Sequence, residues 1–128
     1  MNLLLDTHTF MWWSLTPERL SERVSSLLAD PSNDLILSVA SVWEMQIKLQ
    51  LGKLNLELPL RELIETQQQT NNLQLLPIEV THVWALENLP IPHKDPFDRI
   101  LIAQATVEQQ TLLSIDAIFD AYPVNRVW

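Results

Sequence analysis

Four acidic residues end or follow short apolar segments of the chain: Asp6, Glu44, Asp98 and Asp116. Asp6 and Asp116 each end an apolar run typical of a buried strand, whereas Glu44 and Asp98 fall in the first turns of predicted helices. Carboxylates gathered at one place repel one another and raise one another's pKa, and a hard divalent cation such as Mg²⁺ removes that conflict. Such a cation can position and deprotonate a water and stabilise the leaving oxygen of a phosphodiester. The four acids therefore predict a site for phosphodiester hydrolysis with one metal ion or two.

Each acid also has an ordinary structural interpretation. Aspartate at the end of a strand is a common turn residue, which applies to Asp6 and Asp116. Glu44 could pair with Lys48 one helical turn later, and Asp98 could serve only as a first-turn acid that complements the helix dipole. Independent surface acids would be scattered, however. The expected position of all four acids at one edge of one sheet favours the metal site.

Periodic apolar patterns predict the elements that position these acids. Short apolar runs predict strands at residues 2–5, 35–38, 73–78, 111–115 and 124–128, and Pro77 suits the third strand to a sheet edge. Helical spacing and capping residues predict helices at residues 17–29, 39–51, 59–69 and 79–86, and one more that Pro96 opens. This order implies an α/β fold with a central parallel sheet of four to five strands and helices on both faces. Its binding site is expected at the carboxyl ends of the strands.

Composition limits the remaining possibilities. The 128 residues suffice for one domain, expected to span 1–128, and no apolar run is long enough to span a membrane. Cysteine is absent, which excludes disulfides, zinc–thiolate sites and thiol catalysis. The N-terminus lacks the basic region and cleavage site of a secretory signal, and we expect a cytoplasmic protein. The net charge of −8 opposes nucleic-acid binding over most of the surface, although a bound divalent cation would reverse the field locally.

Four segments together resemble the motifs of one protein family. The segment HKDPFDRILIAQA at residues 93–105 resembles the helix motif of PIN-domain proteins, in particular that of VapC-type toxins. LLLDTH at residues 3–8, SVWEMQIK at 41–48 with Gly52-Lys53-Leu54 after it, and LLSID at 112–116 are similar to the family's other motifs, in the same order. The resemblance extends over essentially the whole chain.

This resemblance implies a Rossmann-like PIN fold and an endoribonuclease that depends on Mg²⁺ or Mn²⁺. It implies carboxylate ligands at the matching positions, which are Asp6, Glu44, Asp98 and Asp116. The last of these acids is the most variable in the family, and Asp95 is a further acid near the third position. The resemblance also implies a homodimer inhibited by a cognate basic antitoxin. The strongly acidic charge is unusual for an enzyme that binds RNA, but it suits a basic protein partner.

Several polar residues are candidates for auxiliary roles. The hydroxyls of Thr7 and Ser38 could position a water or a phosphate, although such hydroxyls more commonly satisfy nearby backbone groups. Lys48, Lys94 and Arg99 could contact phosphate or remain solvated charges. His8 and His93 are interpreted as loop residues, because hydrolysis assisted by Mg²⁺ requires no histidine.

Tryptophans offer a possible surface for stacking with bases. Trp43 and Trp84 fall on apolar helix faces, and we expect them in the core. Trp12 and Trp13 are adjacent, and we expect at least one to be exposed. The enrichment of tryptophan at protein interfaces favours contact with a second copy or with the antitoxin over RNA stacking for this pair.

Other functions on a similar sheet fit less well. A phosphatase of the haloacid dehalogenase type has a second aspartate two residues after the first, where this chain has His8. A phosphoryl-accepting receiver domain requires a lysine near the last strands, and no lysine follows Asp116. The alternative from a different class is a non-catalytic acidic module of the PIN fold that only binds a basic protein partner.

Overall fold

Five parallel strands form the central sheet of the computed structural model, which describes residues 1–90 and 95–128. The strands, in chain order, are β1 (Asn2–Leu5), β2 (Asp34–Ser38), β3 (Gln74–Leu76), β4 (Thr111–Leu113) and β5 (Asn125–Val127). They lie side by side in the order β3-β2-β1-β4-β5, so β3 is an edge strand as Pro77 predicts. Leu5 at the end of β1 pairs with Leu37 of β2 and with Leu113 of β4. The sheet therefore brings Asp6 level with the ends of both neighbouring strands.

Helices cover both faces of the sheet, as predicted for an α/β fold. They are α1 (Thr7–Leu15), α2 (Glu22–Ala29), α3 (Val39–Gln50), α4 (Leu60–Asn71), α5 (Val80–Ala85) and α6 (Pro96–Val107), with short 3₁₀ turns at Pro17–Arg19, Leu86–Asn88 and Ala117–Ala121. Alternate residues of the buried strands point to opposite faces. Leu3 and Leu5 pack in one core with residues of α1, α2 and α4, while Leu4 packs in a second core with residues of α6. None of the helices in the described ranges could span a membrane.

The segment that follows β1 is a helix that the periodicity did not predict. Asp6 begins it, because its side chain accepts a hydrogen bond from the backbone N–H of Thr9 at 2.8 Å. His8, interpreted from the sequence as a loop residue, therefore lies in the first turn of α1. His93 and Lys94 lie outside the described residues.

Two predicted element boundaries are wrong for local reasons. The helix predicted at residues 17–29 is a 3₁₀ turn followed by α2, because Leu20 is extended and Ser21 forms a new cap by accepting from the backbone N–H of Val24 at 3.1 Å. The strand predicted to run directly into Asp116 ends at Leu113. The Ser114 hydroxyl then accepts from the backbone N–H of Asp116 at 3.0 Å, and the chain turns there.

The two tryptophans expected in the core are at the surface. Trp43 and Trp84 are each 59% exposed. In α3 the buried residues are Ala40, Ser41 and Met45. The helix face that packs on the sheet is therefore not the face that contains Trp43.

Candidate active site

A cleft of about 480 Å³ contains all four of the predicted acids. We call it the carboxylate cleft, and its acidic lining residues are Asp6, Glu44, Asp95, Asp98 and Asp116. They arrive from the ends of β1 and β4, from α3 and from the start of α6. The site thus lies at the carboxyl edge of the sheet, where an open parallel sheet is expected to bind ligands.

Asp6 is the most buried acid of the cleft, with 6% of its surface exposed. Burial raises the pKa of Asp6 above its ordinary value of 3.8, while hydrogen bonds from Ser114 and Thr9 and the charge of His8 act in the opposite direction. The Thr9 hydroxyl in turn donates to the Leu113 carbonyl at 2.9 Å, which ties the start of α1 to β4. Asp6 is therefore held rigidly, in surroundings that disfavour its charged form.

Glu44 is held between a hydroxyl and an ammonium group. The Thr7 hydroxyl donates to Oε1 of Glu44, and Lys48 Nζ lies 3.5 Å from Oε2. Thr7 and Lys48 also line the carboxylate cleft. The pairing of Glu44 with Lys48 is the ordinary interpretation offered by the sequence, and it coexists with the position of Glu44 in the cleft.

The beginning of α6 contributes two acids with different local roles. Asp95 caps the helix, because its Oδ1 accepts from the backbone N–H groups of Phe97 at 2.9 Å and Asp98 at 3.3 Å. Pro96 occupies the first helical position, as predicted. Asp98 follows in the first turn, where the positive end of the helix dipole stabilises a carboxylate.

Asp116 lies on the opposite side of the sheet centre from Glu44 and is exposed. Its Oδ1 accepts from the backbone N–H of Ile118 at 3.1 Å and begins the 3₁₀ turn Ala117–Ala121. Two strand-end acids are therefore also capping residues, which is the ordinary role of such aspartates. This capping role and a place in the cleft are compatible.

Ser114 is a residue of the site that the sequence reasoning missed. It is fully buried, and it accepts from the backbone of Asp116 and hydrogen-bonds the side chain of Asp6. The register could have revealed it, because Ser114 follows β4 as Asp6 follows β1. Ser38 occupies the corresponding place on β2, but its hydroxyl accepts from the backbone N–H of Ala40 at 3.0 Å and caps α3.

The predicted phosphate contacts are distributed unevenly. Lys48 lines the cleft. Arg99 lies in α6, and its guanidinium donates to the Pro90 carbonyl at 2.7 Å. Lys94 lies outside the described residues.

The donor set of the cleft suits a hard cation that keeps most of its waters. Within residues 1–90 and 95–128, no three His, Asp or Glu side chains are arranged so that they could share one ion. Asp6, Glu44 and Asp116 each accept a local hydrogen bond, from Thr9, Thr7 and Ile118 respectively. Mg²⁺ is commonly bound directly by only one or two carboxylates, with water completing its shell. A hydrated ion of this kind would suit the carboxylates that line the cleft.

The fold and the cleft together define a Rossmann-like α/β domain with a carboxylate-lined edge. The family model of the PIN domain matches residues 3–125. The chain therefore belongs to the PIN domain family.

Solved structures confirm the fold. A chain in the structure of VapBC2 from Rickettsia felis, bound to a DNA fragment from their promoter, has a TM-score of 0.75 and 14% identity, with 99% of this chain and 98% of that chain covered. A chain of VapBC-1 from nontypeable Haemophilus influenzae has a TM-score of 0.64 and 21% identity, with 99% and 97% covered. A chain of a toxin-antitoxin complex from Klebsiella pneumoniae has a TM-score of 0.62 and 17% identity, with 98% and 96% covered. Among curated protein sequences, none matches this chain.

Proposed function

We propose that this PIN-domain protein is a metal-dependent endoribonuclease that hydrolyses RNA phosphodiester bonds as the toxin of a toxin–antitoxin pair. The observation that carries the proposal is the gathering of Asp6, Glu44, Asp98 and Asp116 in one cleft at the carboxyl edge of the sheet. The similar structures support the toxin assignment, because they are described as VapBC or toxin-antitoxin complexes.

Each acid of the cleft has a part in the proposed reaction. The four acids would hold Mg²⁺ or Mn²⁺, which when bound supplies an activated water and neutralises charge at the phosphate. Thr7 fixes the orientation of Glu44 through its hydroxyl, and Ser114 and Thr9 do the same for Asp6. Asp95 fixes the start of α6 and thereby the position of Asp98. Lys48 lies in the cleft, where its ammonium group can contact a phosphate.

The proposed partners follow from charge and from the similar structures. A net charge of −8 and an acidic cleft are complementary to a basic antitoxin, which would inhibit the enzyme by covering the cleft. We include a homodimer in the proposal, as the resemblance to VapC-type toxins implies, and a cytoplasmic location.

The second candidate is a non-catalytic acidic module that binds a basic protein. Two observations favour it: the net charge repels RNA, and no three acids of the described residues are arranged to share an ion. The first candidate is preferred, because every acid that the family resemblance assigns to the site lies in the cleft.

Cleavage of total cellular RNA tests the proposal directly. Purified protein, free of antitoxin, is incubated with Mg²⁺ or Mn²⁺, and wild type is compared with Asp6→Asn and with wild type plus EDTA. A matched control is Asp34→Asn, which changes an exposed acid at the opposite edge of the sheet. Discrete fragments from wild type and Asp34→Asn, lost with Asp6→Asn and with EDTA, would support the metal nuclease. No cleavage by the folded protein with either ion would favour the binding module.

A further inference from the structure

An aromatic residue forms part of the wall of the carboxylate cleft. Trp12 lines the cleft together with Asp6 and Asp116, and it is half-buried. Its ring lies 5.8 Å from the ring of His8 at 44° and 5.6 Å from that of Trp128 in an edge-on arrangement at 65°. These contacts fix the indole in place beside the acids.

A cation accompanies this ring. The guanidinium carbon of Arg19 lies 5.8 Å from the centre of the Trp12 ring, within the range of a cation–π contact. Arg19 belongs to the 3₁₀ turn Pro17–Arg19, which lies between α1 and α2. The side chain of Arg19 is exposed. Positive charge is thus available next to an aromatic surface at the cleft.

Packing alone does not account for Trp12. Its neighbour Trp13 packs against the core that contains Leu3 and Leu5. Trp12 belongs to neither core cluster of the described residues and faces the cleft instead. The sequence interpretation expected at least one of these tryptophans to be exposed for protein contacts, but both are half-buried, Trp13 against the core and Trp12 at the cleft.

An acidic ribonuclease needs affinity for RNA that does not depend on charge. With a net charge of −8, phosphate contacts over most of the surface are opposed by repulsion. Stacking of a base on an aromatic ring contributes about 1–3 kcal/mol and tolerates any base. A tryptophan already fixed by neighbouring rings loses little conformational freedom when a base stacks on it.

We propose that Trp12 and Arg19 form a subsite that stacks one unpaired base of single-stranded RNA. This subsite rests on the proposed ribonuclease function. Arg19 pairs with the adjoining phosphate or extends the stack with its planar guanidinium. Because Trp12 and the acids line the same cleft, a base held there places a neighbouring phosphodiester near the carboxylates. The subsite therefore selects RNA whose bases are unpaired at the cut.

The test is binding of a fluorescein-labelled, unstructured oligoribonucleotide to proteins that carry Asp6→Asn, which prevents cleavage. Adding Trp12→Leu should weaken binding about 5- to 150-fold, the equivalent of the stacking energy of one base. Trp12→Phe should retain most of the affinity, and Arg19→Ala should lower it severalfold. Leu58→Ala is the control, because this leucine is 48% exposed, lies between α3 and α4 and does not line the cleft, and it should leave binding unchanged.

An abasic oligonucleotide of the same length separates stacking from a structural effect. Proteins with and without Trp12→Leu should bind it equally weakly, since no base is present to stack. Equal losses for the normal and abasic oligonucleotides would overturn the subsite, as would undiminished RNA binding by folded Trp12→Leu. Should Trp12→Leu not fold, Arg19→Ala decides, because its side chain is exposed; unchanged affinity then overturns the proposal.

Further outcomes separate the subsite from the proposed enzyme. If otherwise unaltered Trp12→Leu cleaves RNA with the KM of wild type, the subsite is overturned and the ribonuclease stands. If RNA binding depends on Trp12 but wild type never cleaves, the subsite stands and the ribonuclease fails. If Trp12→Leu weakens only the binding of a basic peptide and not of RNA, the ring is a protein-binding surface and the subsite is overturned.

Discussion

Asp6 has a position that is unfavourable for stability. Burial raises its pKa above 3.8, so its ionised form destabilises the fold above that pH, and the penalty disappears as the pH falls and the folded state takes up the proton. We predict that Asp6→Asn melts at a higher temperature than wild type in EDTA near neutral pH. The asparagine oxygen can still accept from Thr9, so the cap of α1 is retained.

Thermal unfolding with and without Mg²⁺ measures both consequences of this substitution. Wild type should be stabilised by the ion, and Asp6→Asn should lose that stabilisation because a ligand is missing. The advantage of Asp6→Asn in EDTA should shrink at acidic pH, where Asp6 is protonated in wild type. A variant less stable than wild type at neutral pH in EDTA would contradict the assigned cost of burying Asp6.

Thr7 lines the cleft and contacts Glu44 there. Its hydroxyl donates to Glu44 Oε1, and its side chain is buried. We predict that Thr7→Val, which keeps the shape of the side chain, lowers metal affinity or activity about 10- to 100-fold, as loss of a group that orients a ligand does elsewhere. Thr7→Ser restores the donor and should restore activity. Equal activity of the valine and serine variants would show that this hydrogen bond does not matter to the site.

At the level of elements, the cap at the start of α6 positions a second acid, because Asp95 accepts a hydrogen bond from the backbone N–H of Asp98. Asp95 caps the helix and Asp98 lies in its first turn, so loss of Asp95 should change both the stability of the helix and the position of the Asp98 carboxylate. We predict that Asp95→Ala lowers the free energy of unfolding by about 0.5–2 kcal/mol. Asp95→Asn removes the charge but keeps the cap, and it should keep most of the stability and activity. Loss of activity in Asp95→Asn as large as that in Asp98→Asn would instead make Asp95 a direct ligand.

The elements show which parts of the fold a sequence can predict. The apolar runs at β1 and β2 predict strands, and the amphipathic spacing at α4 predicts a helix. The structure has these three elements in those segments of the chain. By contrast, α1 contains the run Phe10-Met11-Trp12-Trp13, which is apolar on successive residues and so gives no helical period. Its start is marked by the cap of Asp6, whose side chain accepts from the backbone N–H of Thr9, and by the hydrogen bond from the Asp6 N–H to the Leu113 carbonyl of β4.

The candidate site was predictable to the same extent. Asp6 and Asp116 follow parallel strands and so must share an edge, and Glu44 and Asp98 lie in helices predicted to begin at that edge, so the four carboxylates could be placed together without a structure. Ser114 could not, because a small polar residue after a strand has no periodic signature and its importance depends on register with β1. The prediction that Trp43 and Trp84 lie in the core was wrong, because both are exposed. An apolar helix face predicts burial, but it does not show whether the sheet or another molecule covers that face.

At the level of the whole molecule, α5 presents an apolar face that the described residues leave uncovered. His82 points inward and is fully buried, whereas Val80, Val83 and Trp84 lie together on the opposite face and are 58%, 42% and 59% exposed. We predict that this face contributes to the proposed homodimer and that Val80→Glu shifts the protein toward monomer in sedimentation velocity. Glutamate is favourable in a helix's first turn, so the monomer should stay folded. A wild-type protein that is monomeric at all concentrations would contradict this prediction.

In a protein with a net charge of −8, the few cations that meet phosphate determine the salt dependence of RNA binding. Each phosphate neutralised on a single strand contributes about −0.7 to the slope of log affinity against log salt. Among the described residues, Arg19 lies beside the carboxylate cleft and Lys48 lines it, so two contacts are expected where Arg19 pairs with the phosphate. Affinity of Asp6→Asn for an unstructured oligoribonucleotide should therefore fall only about sevenfold between 50 and 200 mM salt.

Lys48→Gln supplies the matched comparison, because it removes one contact and should make the slope less steep by about 0.7. The rate of association with a basic antitoxin should fall far more steeply over the same salt range, since there the whole acidic surface attracts the partner. A slope for RNA as steep as that of a basic nuclease would require phosphate contacts well beyond Arg19 and Lys48. Charge would then contribute more to RNA binding than the acidic composition predicts.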